Sequence, residues 1–184
     1  VSWSDAIEVA RTIGDACGVA IDVVAGDDEP FHPGRCGRLL VAGVGIGYAG
    51  ELHPQVLEGF GLPARSAALV LDLDALIAAA PDVRPAPEVG TQPLAKEDLA
   101  VVVDRSVPVA DVQAALAEGA GDLLESVRLF DVYEGPQVPE GQRSLAFALR
   151  FRAGDRTLGA AETAEARESA LAAATARCGA TLRR

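Results

Sequence analysis

The sequence predicts an α+β protein in two parts, the second built on a four-stranded antiparallel sheet covered by two helices. Three prolines fall within residues 81–87, and proline suits neither a helix interior nor a central strand. We therefore expect residues 81–92 to be a linker between residues 1–80 and residues 93–184. Hydrophobic residues recur at strand and helix spacing on both sides of it, and they alternate most regularly in residues 144–152.

The part before the linker is predicted to contain short strands and helices. Ser4 and Asp74 are the expected N-caps of its first and last helices, and Pro54 suits the first turn of the helix between them. The predicted elements are a helix over 4–17, strands over 22–25, 37–44 and 46–51, a helix over 54–60, a strand over 68–72, and a final helical turn or two.

The part after the linker has a cleaner pattern. The stretch 98–103 is rich in β-branched residues, which favours a strand, and Pro108 is expected to open a helix. The predicted elements are a strand over 98–103, a helix from 108, strands over 126–133 and 144–152, a helix over 160–178, and a strand over 180–182. This βαββαβ order is the ferredoxin-like arrangement.

Alternation along each strand assigns its side chains to the two faces of that sheet. The bulky face of the third strand, which must meet the helices, consists of Leu145, Phe147, Leu149 and Phe151. Its opposite, open face consists of Ser144, Ala146, Ala148, Arg150 and Arg152. In the second strand the pattern assigns Phe130 and Val132 to the core face, and to the open face Leu129, Asp131 and Tyr133.

An open face of small residues beside Tyr133, Arg150 and Arg152 suits the binding of a nucleobase. Tyr133 would be the stacking surface, since stacking of a base on an aromatic ring contributes about 1–3 kcal/mol. Arg150 and Arg152 would contact phosphate or base. The alternative interpretation of the same residues is a solvated sheet face with ordinary surface arginines.

Composition excludes several classes of protein. The net charge of -11 argues against non-specific nucleic-acid binding through bulk charge, although the basic residues gather after the linker. Three scattered cysteines predict reduced thiols in a cytosolic protein rather than a disulfide framework or a metal site. No apolar run is long enough to span a membrane. The absence of methionine predicts that the chain is part of a longer one.

The six residues GIGYAG, Gly45–Gly50, match the dinucleotide-binding pattern GxGxxG, and Asp72 follows at a suitable distance. That pattern requires a helix to begin within the motif, whereas Pro54 predicts a later helix start. We interpret the motif as a bend between two adjacent strands. A nucleotide-binding oxidoreductase remains the less favoured function.

Two further pairs of residues have a functional and a structural interpretation. His32 and His53 each precede a proline, and we expect structural histidines bonded to the backbone rather than catalytic or metal-binding ones. Asp72 and Asp74 share a face of the predicted strand, which would permit metal or acid–base chemistry. We favour the role of Asp74 as a helix cap.

The chain as a whole resembles a known family. Stretches similar to the ferredoxin-fold anticodon-binding domain of bacterial phenylalanyl-tRNA synthetase β subunits are DLAVVVD (98–104), VRLFDVYEG (127–135), PEG (139–141), SLAF (144–147) and FRAGDRTL (151–158). Stretches similar to the catalytic-like core of that subunit are FHPGR (31–35), GYAGELHP (47–54) and LDLDAL (71–76). They occur in order, so the resemblance covers nearly the whole chain.

The resemblance implies a fold and a function for both parts. Residues 1–80 would be the end of a catalytically silent, class II synthetase-like antiparallel α/β core, and residues 93–184 would bind the anticodon. The implied enzyme is a cytoplasmic (αβ)2 tetramer that joins phenylalanine to its tRNA with ATP and magnesium, using the active site of the α subunit. The implied partners of this chain are phenylalanine tRNA and the α subunit, with neither DNA nor membrane, and it would hold no catalytic residue or cofactor.

The resemblance also implies roles for single residues. Tyr133 would stack on an anticodon base, and Asp131 and Ser144 would contact the edge of the base or its backbone. The choice of Arg150 and Arg152 as further tRNA contacts rests on strand alternation instead.

The chain departs from the family pattern in two places. Lys96 and Glu97 stand where two basic residues are usual, which removes positive charge near the RNA. The run 159–161 (GAA) replaces polar residues at a helix start. A protein–protein interaction module that stabilises the synthetase assembly, with little RNA contact, remains the alternative function.

Overall fold

The computed structural model describes residues 1–84, 86 and 90–183. The chain divides into two compact units, residues 1–87 (the first unit) and residues 88–184 (the second unit). Residues 85 and 87–89 of the predicted linker lie outside the described residues.

The first unit is a four-stranded antiparallel sheet with helices. Its elements are α1 (Trp3–Cys17), β1 (Asp22–Gly26), β2 (Phe31–Val41), β3 (Val44–Leu52), α2 (Pro54–Phe60), β4 (Ala67–Leu71) and α3 (Leu73–Ala79). The strands follow one another in the order β1-β2-β3-β4. Ile7 and Ala10 of α1 are buried with Leu39 of β2 and Ala49 of β3, so the apolar stripe of the helix covers one face of the sheet.

Both predicted helix caps in this unit are wrong by two residues. Helix α1 begins after Ser2 rather than after Ser4, and the Asp5 carboxylate accepts a 2.7 Å hydrogen bond from the backbone N–H of Ser2. Helix α3 is capped by Asp72, whose Oδ1 accepts from the N–H of Ala75 at 2.9 Å. Neither Asp72 nor Asp74 therefore lies in a strand, and the proposed shared strand face does not exist.

The GIGYAG motif is not a bend. All of Gly45–Gly50 lies within β3, and the turn between β2 and β3 is made by Ala42 and Gly43, both at positive φ. A Cβ at Gly50 would overlap the carbonyl of Arg35 and approach Cys36 Cα to 2.9 Å. Glycine is present because β2 passes close by, and the strand continues where a dinucleotide site requires a helix.

The second unit has the predicted ferredoxin-like architecture. Its elements are β5 (Ala95–Asp104), α4 (Val109–Ala120), a 3-10 turn (Gly121–Leu123), β6 (Leu124–Tyr133), β7 (Gln142–Phe151), α5 (Ala160–Cys178) and β8 (Thr181–Leu182). The strands lie in the order β6-β7-β5-β8, and every pairing is antiparallel. The core face of β7 is as predicted, with its four side chains fully buried: Leu145, Phe147, Leu149 and Phe151.

The predicted facing of β6 is only partly right, because the strand contains a β-bulge. Leu129 pairs with Phe147 and the next pair is Asp131 with Ala146, so Phe130 is an extra, unpaired residue. The bulge shifts the alternation by one residue. Leu129 therefore packs against the core instead of lying on the open face, while Phe130 is 52% exposed instead of buried.

A buried carboxylate links α1 to the first sheet. Glu51 of β3 is 3% exposed, and its Oε2 accepts a 2.7 Å hydrogen bond from Arg35 Nη1. This hydrogen bond lowers the pKa of Glu51 below its ordinary value, although burial of the carboxylate acts in the opposite direction. The backbone N–H of Trp3, at the start of α1, lowers the pKa further. The ionised form of Glu51 therefore stabilises the first unit.

We expect the first unit to lose stability in acid through Glu51. Because its pKa is lower when folded than when unfolded, its contribution is complete above the ordinary glutamate pKa of about 4.3 and is lost as the pH falls through the lowered value. Glu51→Gln should be less stable at pH 7 and should lose less stability than the wild type between pH 7 and pH 3. Urea unfolding across this range measures both, with the exposed Glu58→Gln of α2 as the control. An unchanged pH dependence in Glu51→Gln would contradict this role.

Candidate nucleic-acid interface

The open face of the second sheet is the face that α4 and α5 leave uncovered. Strand pairing places Tyr133 of β6 opposite Ser144 of β7, which in turn lies opposite Val102 of β5. The next pair on the same face of β6, two residues before Tyr133, is Asp131 with Ala146. The structure therefore brings Tyr133, Asp131 and Ser144 together on one face, because directly opposite residues point to the same side.

The ring of Tyr133 is held by a cluster of polar contacts. The guanidinium carbon of Arg183 lies 4.8 Å from the ring centroid, which is within cation–π distance. Arg183 donates from Nη1 to Ser144 Oγ at 3.3 Å and from Nη2 to Gln137 Oε1 at 3.1 Å. A Cβ at Gly135 would overlap the Tyr133 hydroxyl, so glycine leaves room for the ring. We call Tyr133, Asp131, Gln137, Ser144 and Arg183 the tyrosine cluster.

The other polar members of the cluster differ in what they offer a ligand. Asp131 is exposed, so its carboxylate is open to a hydrogen-bond donor. Ser144 is 2% exposed and its hydroxyl already meets Arg183, so it supports the guanidinium from below. The cluster thus combines an aromatic surface, an acceptor and a planar cation, a set suited to a base with N–H donors.

Arg183 was missed by the sequence reasoning. It follows the two-residue strand β8, and its backbone N–H donates to Ala100 O of β5 at 2.9 Å. The ferredoxin-like strand order was the signal that could have found it, since it places the end of the chain beside β5.

The two arginines selected by alternation have different surroundings. Arg150 lies on the open face with its side chain 30% exposed, 3.7 Å from the Asp98 carboxylate. Arg152 forms an ion pair with Glu125 and donates from Nη1 to the carbonyls of Gly90 at 2.7 Å and Gln92 at 2.6 Å. Its side chain is only 17% exposed, so its donors hold the start of the second unit rather than face solvent.

The bulge adds a cation that alternation did not assign. Arg128 pairs with Ala148, so it lies on the open face, and it is exposed. Unbroken alternation along β6 assigns Arg128 to the core face, together with Phe130 and Val132. Lys96, opposite Arg150, joins the same face from β5.

The two histidines occupy structural positions. His53 Nδ1 accepts the N–H of Gln55 at 3.2 Å and caps α2, and a ring nitrogen of His32 lies 2.5 Å from the carbonyl of Pro33. Within the described ranges, no group of three or more His, Cys, Asp or Glu is placed to hold a metal ion. No helix in that same part of the chain has both the length and the apolar content needed to cross a membrane.

Comparison with known proteins assigns both units to one family. Residues 90–183 match the family model "Ferredoxin-fold anticodon binding domain", and residues 1–73 match "Phenylalanyl tRNA synthetase beta chain CLM domain". The chain is 55% identical to a phenylalanine–tRNA ligase beta subunit of Streptomyces avermitilis and 53% identical to that of Thermobifida fusca, over 98% and 99% of its length. It spans 22% of each relative. The chain therefore belongs to the phenylalanine–tRNA ligase beta-subunit family and carries its ferredoxin-fold anticodon-binding domain.

Proposed function

We propose that the second unit binds the anticodon region of phenylalanine tRNA through the open face of its sheet. The observation that carries the proposal is the half-buried Tyr133 ring among polar groups, with a planar guanidinium already stacked on one of its faces. Guanidinium groups and nucleobases share the ability to stack on aromatic rings. An anticodon base would take over the ring face that Arg183 covers.

The neighbours of the ring supply recognition of the base edge. Asp131 accepts N–H donors of the stacked base, and Arg183, once moved aside, remains within reach of the base or its phosphate. Ser144 keeps the guanidinium beside the ring through its 3.3 Å contact. The helix side of the unit is unsuited to RNA, since α5 carries Glu162, Glu165 and Glu168.

The chain acts as part of a larger cytoplasmic enzyme in this proposal. The α subunit, in an (αβ)2 assembly, joins phenylalanine to the tRNA, and ATP and magnesium bind outside the chain described here. Anticodon binding by the second unit contributes affinity and orientation to that reaction rather than a chemical step.

The test is binding of an anticodon stem–loop of phenylalanine tRNA to the 184-residue chain, measured by fluorescence anisotropy. Tyr133→Ala should weaken binding about 5- to 150-fold, which corresponds to the loss of one base–aromatic stack. Tyr133→Phe keeps the ring and should bind nearly as the wild type does. Equal affinities of Tyr133→Ala and the wild type would remove the stacking proposal.

A second candidate function is an interaction module within the ligase, and one observation favours it. Most of the large apolar side chains that are exposed among the described residues lie in the first unit, including Phe60, Leu73 and Ile77. Neighbouring exposed apolar side chains favour contact with another protein surface, and Leu73 and Ile77 are neighbours on one face of α3 because they are four residues apart. The two functions use different units, and the stem–loop experiment separates them, since a pure interaction module would bind no RNA.

A further inference from the structure

We propose that Lys96, Arg128 and Arg150 hold the sugar–phosphate backbone of the RNA, at the opposite end of the open face from Tyr133. We call these three residues the basic corner. The proposal rests on the anticodon-binding function above and adds a second contact region to it.

The three cations come from three adjacent strands. Lys96 of β5 lies directly opposite Arg150 of β7, and on the other side of β7 Arg128 of β6 lies opposite Ala148. Arg128 is thus a diagonal neighbour of Arg150, at a typical distance of about 7–8 Å. All three side chains lie on the open face. Arg128 and Tyr133 lie on the same face of β6, although they are five residues apart, because the bulge at Phe130 inserts one extra residue between them.

The charges of the basic corner are poorly compensated within the protein. Like charges directly opposite each other destabilise a sheet, so packing gives no reason for Lys96 to face Arg150. Among the described residues, Lys96 and Arg128 make no ion pair, and Arg150 makes one, with Asp98 at 3.7 Å. An anion bound here would relieve the repulsion.

The arginines on the helix side of the second unit are different. Arg177 pairs with Glu118 of α4, and Arg156 pairs with Glu162 of α5 at 2.8 Å. Ion pairs of this kind leave no net positive charge. The open face is therefore the better site for a polyanion, even though the chain has a net charge of -11.

The spacing identifies the bound group as backbone rather than the stacked base. Arg150 is six residues from Ser144 along β7, and a strand of that length spans about 20 Å. A nucleotide stacked on Tyr133 cannot reach so far. Arg150, with Lys96 opposite it, therefore meets phosphates several nucleotides away. Arg128 lies opposite Ala148, about 13 Å along the strand from Ser144, and meets phosphates between these and the stacked base. Phosphate contacts of this kind do not depend on the anticodon sequence.

The experiment measures stem–loop binding to the 184-residue chain at several salt concentrations. Each phosphate contact adds about 0.7–1 to the slope of log K against log salt, so Arg128→Ala should reduce the slope by that amount. Arg128→Ala should weaken binding equally for stem–loops with the phenylalanine anticodon and with an altered anticodon. The double variant Lys96→Ala/Arg128→Ala should change the slope twice as much as Arg128→Ala does. Arg128→Lys should retain the wild-type slope.

Two further variants separate this proposal from the function on which it rests. Tyr133→Ala should weaken RNA binding without changing the salt slope. Arg177→Ala changes the net charge as much as Arg128→Ala does, but on the helix side, and should change neither the affinity nor the slope. Wild-type slopes in Arg128→Ala and Lys96→Ala, with Tyr133→Ala still impaired, would overturn the basic corner alone. An equal slope change in Arg177→Ala would also overturn it, as a general charge effect. Wild-type binding in Tyr133→Ala and Arg128→Ala together would overturn both proposals.

Discussion

Phe147→Ala is expected to lower the free energy of unfolding of the second unit by about 3–5 kcal/mol. Phe147 is fully buried at the centre of the core face, where it lies between Leu99 of β5 and Leu129 of β6 in the strand pairing. Removing the ring loses its transfer free energy and leaves a cavity between the sheet and the helices, which the backbone of a central strand cannot close.

Calorimetry of the 184-residue chain is the suitable measurement, since two units need not unfold in one transition. Phe130→Ala is the matched control, because Phe130 lies in the same sheet but is 52% exposed at the bulge. Phe130→Ala should lower the free energy of unfolding much less than Phe147→Ala does. Similar losses in the two variants would show that the core does not lie where the strand pairing places it.

Gly119→Ala is expected to destabilise the second unit by about 1–3 kcal/mol, although helix propensity alone predicts that the substitution stabilises it. Alanine in place of glycine normally stabilises a helix by up to about 1 kcal/mol. At Gly119 of α4, however, a Cβ would lie 2.6 Å from Ser169 O and 2.9 Å from Ala170 Cα. These are backbone atoms of α5, so the two helices would have to move apart.

The first unit offers a matched control for Gly119→Ala. Gly59 is a glycine near the end of helix α2, and a Cβ there would have no heavy atom within 4 Å. Gly59→Ala should leave stability unchanged or raise it slightly, and thermal unfolding of both variants decides the comparison. A stabilised Gly119→Ala would mean that α4 and α5 are not in close contact.

These two variants also bear on RNA binding, because the core face and the open face belong to the same sheet. Tyr133 and Ser144 keep their register only while β6 and β7 remain paired above Phe147 and Leu149. We therefore expect destabilised variants to lose RNA affinity only at temperatures where the second unit unfolds. A variant of the proposed stacking residue, such as Tyr133→Ala, should lose RNA affinity in the fully folded protein instead.

The local pattern was sufficient to predict most elements of the second unit. Helix α5 has the predicted bounds, since a glycine after Cys178 ends an alanine-rich run. The alternation in β7 predicted its buried face, because a strand with one face against helices repeats every two residues. The strand order followed from the βαββαβ sequence of elements and the chirality of their connections.

Only tertiary structure decided the composition of the open face. A bulge depends on how β6 pairs with β7, so the sequence of β6 alone did not show that Arg128 and Tyr133 share a side while Phe130 is exposed. The position of Arg183 depends on the docking of a two-residue strand, too short to show alternation. Likewise, the glycines of GIGYAG respond to the close approach of β2, a contact that lies outside the motif.

The sequence by itself determined most elements of the second unit, the buried face of β7 and the family, because these depend on local spacing and on residues read in order. The tertiary structure decided which polar side chains meet. Tyr133 and Ser144 come from β6 and β7, and Arg183 directly follows β8. The residues Lys96, Arg128 and Arg150 come from three strands. Contacts between strands are set by register, and a single extra residue changes the face of every side chain on one side of it.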